Sequence, residues 1–167
     1  AELQEDSFRR EYRWKRMAIV FQGAMNALNP VMRVGDQIVE AIVSHEPQRR
    51  DQALHRVSEL LALTGVDPER ASSYPHELSG GMRQRVMIAM GLACNPELII
   101  TDEPVTALDV IIRDQVLKLI KDLQRKLSLS VMLITHDLSV IAEICESAAV
   151  MYAGRIAEYA DIVSIFK

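Results

Sequence analysis

Apolar residues recur along the chain with two different periods, and the change of period predicts where helices and strands lie. From residue 34 to about residue 71 they fall three or four positions apart, as they do on one face of a helix. Pro47 predicts a break between two helices in this stretch. Gly65 predicts the end of the second helix, because glycine readily adopts the left-handed conformation that follows a helix. A further amphipathic helix is predicted to begin after Ser79 and to run to about Ala93.

Short continuous apolar runs predict buried strands on both sides of this helical stretch. The predicted strands are residues 17–21, 97–101 and 130–135, with helices at residues 109–127 and 138–145. Near the C-terminus, two further runs flank Ala153-Gly154, which predicts a hairpin. Buried strands that alternate with helices are typical of a parallel α/β sheet.

The alternation divides the chain into two parts. We expect residues 1–23 and 93–167 to form an α/β core, and residues 24–92 to form a helical insert within it. The sequence shows neither an internal repeat nor a low-complexity segment.

Composition and charge narrow the classes of function. The net charge of −4 argues against nucleic acid as the main partner. No apolar run reaches the roughly 20 residues that cross a bilayer, so any membrane connection is expected to come through a partner. Cys94 and Cys145 lack metal-ligand spacing and are predicted to be buried thiols of a reducing cytoplasm. Because the sequence begins at Ala1 with neither an initiator methionine nor a signal-peptide pattern, we expect it to be part of a longer protein.

A serine and two glycines precede the predicted helix that follows Ser79. Serine is a favourable N-cap, and glycine lets other atoms approach the backbone closely. The free N–H groups of a helix N-terminus attract anions. Ser79, Gly80 and Gly81 therefore predict a surface that faces phosphate.

Polar side chains follow the ends of the predicted strands. Gln22 follows the first strand, Asp102 and Glu103 end the second, and His136 follows the third. Ligands bind at the carboxyl edge of a parallel sheet, where one carboxylate can hold Mg²⁺ and another can polarise a water. Asp109 is positioned to cap the next helix.

In this order, the segments resemble the motifs of ABC-type ATPases. The matching positions are the Q-loop residue Gln22, the signature from Leu78 to Arg85, the Walker B pair Asp102-Glu103, the D-loop Ala107-Leu108-Asp109 and the switch residue His136. Residues 25–31 are similar to the ATPase subunits of dipeptide and oligopeptide importers. The resemblance implies a partial P-loop NTPase-like parallel sheet interrupted by a helical signature subdomain, without the family's N-terminal β-subdomain.

The resemblance also implies roles within an ATP site. Glu103 would act as general base, and His136 would bind the γ-phosphate and help position the attacking water. Asp102 would bind Mg²⁺, and Gln22 would reach both the metal and the water. ATP and Mg²⁺ are thus the expected cofactors.

Other residues are expected to act across a dimer. By resemblance, Ser79, Gly80, Gly81 and Gln84 would contact ATP held by a second, head-to-tail ATPase subunit, and Asp109 would lie at that interface. The dimer, of identical or different subunits, would couple ATP-driven closure to peptide transport. It would do so through transmembrane permease subunits, on the cytoplasmic face of the cell membrane.

The family's phosphate-binding P-loop is absent from these 167 residues, because none of the seven glycines forms the pattern G-x-x-x-x-G-K-[ST]. In the family it precedes the Q-loop, so we expect it before Ala1. The chain alone is therefore expected neither to bind ATP tightly nor to hydrolyse it. It is also expected to self-associate through apolar surfaces that the missing segment would cover.

Three other classes of function remain open at this stage. A non-catalytic interaction module would lend its signature to a partner's ATP site, which the missing P-loop favours and the presence of both Glu103 and His136 disfavours. A chromosome or DNA-repair ATPase would carry a long coiled coil between Gln22 and Leu78, where no sustained heptads occur. A tandem translation-factor ATPase is disfavoured by the lack of a second cassette.

Overall fold

The computed structural model describes residues 12–21, 27–46, 50–106 and 108–167. In chain order the elements are β1 (Met17–Val20), α1 (Val34–His45), α2 (Arg50–Leu63), two 3-10 helices (Pro68–Ser72 and Pro75–Glu77), α3 (Gly80–Gly91), β2 (Leu98–Asp102), α4 (Val110–Leu127), β3 (Ser130–Ile134), α5 (Leu138–Ile144), β4 (Ser147–Tyr152), β5 (Arg155–Asp161) and α6 (Ile162–Ile165). The predicted strands are confirmed with ends that differ by at most two residues. Gln22 and the break predicted at Pro47 lie outside the described residues.

Three parallel strands form the main sheet, in the order β1-β2-β3. In the register, Val20 lies beside Thr101 and Asp102 lies beside Ile134. The carboxyl ends of all three strands therefore meet at one edge, as the sequence predicts. One face of the sheet lies against the core, because alternate side chains of β1 and β2 are buried and Val131 and Leu133 of β3 are partly buried against the same core.

The helices of the insert pack on the sheet through one hydrophobic core. Helix α3 contacts α1, α2, α4 and β1. It approaches the sheet closely, because a Cβ on Gly91 would lie 3.0 Å from Cγ2 of Val20. Helix α2 ends as predicted at Gly65, which has φ of +71°. The N–H groups of Gly65 and Val66 donate to the carbonyls of Ala62 and Leu61, which is the Schellman arrangement.

The predicted hairpin is confirmed as the antiparallel pair β4–β5. Ala153 and Gly154 both have positive φ, +47° and +76°, as a tight hairpin turn of this hand requires. Most side chains of both strands are exposed. Among the helices that the structure describes, none has the length and apolar character needed to cross a membrane.

Candidate active site

The carboxyl edge of the sheet brings Glu103 and His136 into contact. Glu103 directly follows β2, and its N–H donates to the carbonyl of Ile134 at the end of β3, at 2.9 Å. Its φ of +47° lies in the left-handed region, which is uncommon for a residue with a side chain and is typical of functional sites. This backbone conformation turns the carboxylate towards the loop that follows β3.

Four donors surround the Glu103 carboxylate. Oε1 accepts from the N–H of His136 at 3.0 Å and lies 2.6 Å from Nδ1 of the same residue. Oε2 accepts from the hydroxyl of Thr106 at 2.7 Å and from that of Thr135 at 3.4 Å. The Glu103 side chain is only 14% exposed, whereas that of His136 is 82% exposed. A mostly buried carboxylate is thus held by polar groups from two loops.

The same contacts set the protonation of the pair. Burial alone would raise the pKa of Glu103. The hydrogen bonds from Thr106 and His136 favour the ionised form, and together they hold this pKa below its ordinary value of 4.5. An ionised carboxylate only accepts hydrogen bonds, so the network assigns a proton to Nδ1 of His136. Nε2 of the exposed ring remains available to a ligand.

Asp102, the last residue of β2, is half-buried beside this pair. Its carboxylate has no hydrogen-bond or ion-pair partner within the described ranges. No group of three or more His, Cys, Asp or Glu side chains in that part of the chain could hold a metal by itself. A single unpaired carboxylate fits Mg²⁺, which keeps several waters and is usually bound by one or two carboxylates together with substrate phosphates.

The loop after β3 is fixed by Asp137, which caps α5. Its Oδ1 accepts from the N–H of Ser139 at 2.9 Å, and its Oδ2 accepts from Arg113 at 3.3 Å. The hydrogen bonds from Ser139 are the largest cause that lowers the pKa of Asp137. The N–H of Asp137 in turn donates to the hydroxyl of Thr135 at 3.1 Å. These contacts hold the backbone on both sides of His136.

Sequence reasoning missed Thr106 and Thr135 as neighbours of Glu103. Thr106 lies three residues after Glu103, and Thr135 directly precedes His136. The available signal in the sequence was the presence of these two hydroxyl side chains close to the candidate residues Glu103 and His136. Their convergence on one oxygen depends on the left-handed φ of Glu103, which the sequence pattern does not reveal.

The signature residues lie at the N-terminus of α3. The Ser79 hydroxyl accepts from the N–H of Met82 at 3.3 Å, which confirms the predicted cap. Gly81 is buried, and a Cβ there would lie 2.5 Å from Cγ2 of Ile112 on α4. At Gly80 the nearest atom would be 3.6 Å away, which is an ordinary contact. The bare backbone at Gly81 thus has a packing role.

The other residues predicted to act across a dimer differ in exposure. Asp109 is exposed and caps α4, because its Oδ1 accepts from the N–H of Ile112 at 3.0 Å. Gln84 is only 5% exposed, and its Nε2 has no partner in the described part of the chain. No hydrogen bond between described residues joins the signature to Glu103 or His136. The structure therefore presents two separate groups of candidate residues.

Comparisons with known proteins give consistent relatives. A family model described as ABC transporter matches residues 2–106. The chain is 54% identical over 159 residues to a probable peptide ABC transporter ATP-binding protein of Sinorhizobium fredii, covering 94% of this chain and 48% of that protein. It is 52% identical over 156 residues to the oligopeptide transport ATP-binding protein OppD of Bacillus subtilis, covering 92% and 44%. The chain thus spans about half the length of these curated relatives.

Solved structures agree with this pattern. An ATP-binding cassette captured as a dimer in a post-hydrolysis state with ADP and Pi matches with a TM-score of 0.81 and 26% identity, covering 96% of this chain and 68% of that one. The protein cbiO1 of Clostridium perfringens, part of the ABC transporter complex cbiONQ, matches with a TM-score of 0.80 and 28% identity, covering 91% of this chain and 59% of that one.

Proposed function

The chain belongs to the ABC transporter family, and from this premise we propose that it carries the hydrolytic residues of an ATPase subunit that powers peptide uptake. The observation that carries the proposal is the Glu103–His136 pair, which lies at the carboxyl edge of the sheet next to Asp102. Peptide as cargo is supported by the relatives, which are named as peptide and oligopeptide transport ATP-binding proteins.

In the proposed reaction, Glu103 takes a proton from the water that attacks the γ-phosphate of ATP. Its carboxylate has four donors in this structure, so one must leave before it can bind that water. The His136 ring is the donor free to move, because its side chain is 82% exposed. Once the ring is released from Oε1, its Nδ1–H group can donate a hydrogen bond to the γ-phosphate.

Asp102, with Gln22, would hold Mg²⁺, which would neutralise phosphate charge when bound. The Asp102 carboxylate supports this assignment, because it is half-buried at the sheet edge and has no partner among the described residues. The division into an ATPase core of residues 1–23 and 93–167 and a helical insert of residues 24–92 also belongs to this proposal.

We further propose that Ser79, Gly80 and Gly81 face ATP bound by a second subunit in a head-to-tail dimer. The dimeric structural relative and the exposed cap at Ser79 support this arrangement. Asp109 would lie at the same interface. Gln84 is buried in this conformation, so its contact with ATP requires the first turn of α3 to rearrange.

The 167 residues alone are proposed to bind MgATP weakly and to turn it over too slowly to measure, because their sequence contains no P-loop. The dimer would dock on transmembrane permease subunits at the cytoplasmic face of the membrane. Such docking is consistent with the lack of a membrane-crossing helix among the described residues.

The experiment joins the chain at its N-terminus to a segment that carries G-x-x-x-x-G-K-[ST] and measures MgATP hydrolysis. We expect turnover in the joined protein and a loss of about 10²- to 10⁴-fold in kcat for Glu103→Gln, because a general base contributes about that much.

Glu97→Gln is the matched control for this experiment, because Glu97 is an exposed carboxylate held by Arg16 at the opposite end of β2. It should retain wild-type turnover. Equal losses in both variants, or turnover unchanged by Glu103→Gln, would refute the assignment.

A further inference from the structure

Two threonine hydroxyls converge on one oxygen of the Glu103 carboxylate, and no motif assigns them a task. The Thr106 hydroxyl lies 2.7 Å from Oε2, and the Thr135 hydroxyl lies 3.4 Å from the same atom. We propose that Thr106 is a positioning residue that holds Oε2 and thereby makes Oε1 the oxygen that accepts the proton. The inference rests on the proposed function in taking Glu103 as the general base.

The kind of donor, rather than the number of donors, makes the two oxygens unequal. Each carboxylate oxygen accepts about two hydrogen bonds, and both oxygens have two donors here. Among the described residues, Oε2 is bound only by hydroxyls, whereas Oε1 is bound only by His136. A water can reach the carboxylate only where a donor departs, so the choice of basic oxygen depends on which donors stay.

The donor from Thr106 is the one built to stay. Thr106 and Glu103 belong to the same turn, in which the N–H of Thr106 also contacts the carbonyl of Glu103 at 3.3 Å. The hydroxyl and the carboxylate therefore move together when the turn moves. The ring of His136 instead projects into solvent from the loop that follows β3, and it can rotate away from Oε1.

Thr135 has a lesser part in holding Oε2. Its contact with Oε2 is 3.4 Å, at the long end of hydrogen-bond distances, and its oxygen already accepts from the N–H of Asp137. The short bond from Thr106 is thus the stronger restraint on Oε2. The titratable and charged groups near Glu103 are His136 in direct contact, Asp102 next in the chain, and Asp137 with its partner Arg113.

The test uses the joined protein that carries a P-loop and compares kcat and KM for MgATP among variants of Thr106. Thr106→Val removes the hydroxyl that holds Oε2 and keeps the shape of the side chain. It should lower kcat by about tenfold or more with little change in KM, because a misplaced base slows the reaction without weakening binding. Thr106→Ser keeps the hydroxyl and should keep kcat close to wild type.

Circular dichroism would establish that each variant is folded, and Thr106→Ala would replace Thr106→Val if the latter is not. A wild-type kcat for Thr106→Val, or equal losses in the Ser and Val variants, would overturn the inference.

The wild-type joined protein separates this outcome from that of the proposed function. If it does not hydrolyse ATP, the proposed function fails and the inference fails with it. If it hydrolyses ATP and Thr106→Val matches it, the inference alone fails.

Discussion

At the scale of single residues, the central feature is the carboxylate of Glu103, whose surroundings have opposite effects on its charge. Burial disfavours the charge on Glu103, and donors from two loops favour it. The donors prevail, so the group is ionised and ready to accept a proton at neutral pH. A low pKa limits its strength as a base, and release of His136 would remove part of that limit.

This balance makes stability depend on pH with a definite sign. The pKa of Glu103 is lower in the folded chain than its ordinary value of 4.5. The unfolded chain therefore binds this proton more readily, and the stabilisation is complete above pH 4.5 and is lost as pH falls through the folded pKa. Comparing wild type with Glu103→Gln cancels the titration of the other carboxylates.

We therefore expect the difference in unfolding free energy between these two proteins to favour wild type most near neutral pH and to shrink on acidification. Urea unfolding at a series of pH values from about 7 to 3 measures it. A difference that is constant, or that grows in favour of wild type as pH falls, would show that the carboxylate is not held in its ionised form.

At the scale of elements, the sequence predicted those helices, strands and turns that depend on residues close together in the chain. Apolar runs determined the three parallel strands, Gly65 the end of α2, and Ala153-Gly154 the hairpin turn. The four-residue helix α6 and the 3-10 helix Pro75–Glu77 were missed, because such short elements lack a hydrophobic period. The contact of Thr106 with Glu103 was missed because it depends on the left-handed φ of Glu103, which the sequence pattern does not reveal.

Gly81 of the signature has a packing role in the structure, besides the phosphate contact that the sequence predicts. Gly81 was predicted to face phosphate, and it also lets α3 pack against Ile112 of α4. Substitution by alanine would bring a Cβ within 2.5 Å of that side chain. The clash should outweigh the better helix propensity of alanine.

Gly81→Ala is therefore expected to lower the free energy of unfolding by about 1–3 kcal/mol, as overpacking in a core does. Gly80→Ala is the matched control, because the added Cβ would make only an ordinary contact with Leu108 at 3.6 Å. Urea denaturation of the two variants compares them. If Gly81→Ala were as stable as Gly80→Ala, the close packing of α3 on α4 would be wrong.

At the scale of the whole molecule, one face of the sheet and the hairpin leave apolar surface exposed. Met132 and Ile134 of β3 are 52% and 47% exposed, and Tyr152 of the hairpin is 80% exposed. Within the described residues, no strand pairs with the outer edge of β3. Parallel sheets are normally covered on both faces, so this surface favours contact with another polypeptide, including a second copy of the chain.

The two groups of candidate residues lie apart within the single chain. Asp102, Glu103 and His136 lie at the sheet edge, while Ser79 caps α3, and no hydrogen bond between described residues connects them. In a head-to-tail dimer, the hydrolytic residues of one subunit would complete a site with the Ser79 of the other. Each site would then need one intact group from each subunit.

Mixing two inactive variants of the P-loop-bearing protein tests this arrangement most directly. Glu103→Gln removes the base, and Ser79→Asp keeps an N-cap side chain while placing negative charge against phosphate. In a mixed dimer, one site combines both defects and the other is intact. Random pairing should therefore restore about a quarter of wild-type ATP hydrolysis, since half the dimers are mixed and each has one good site of two. Activity no higher than the average of the two variants measured separately would contradict a site shared between subunits.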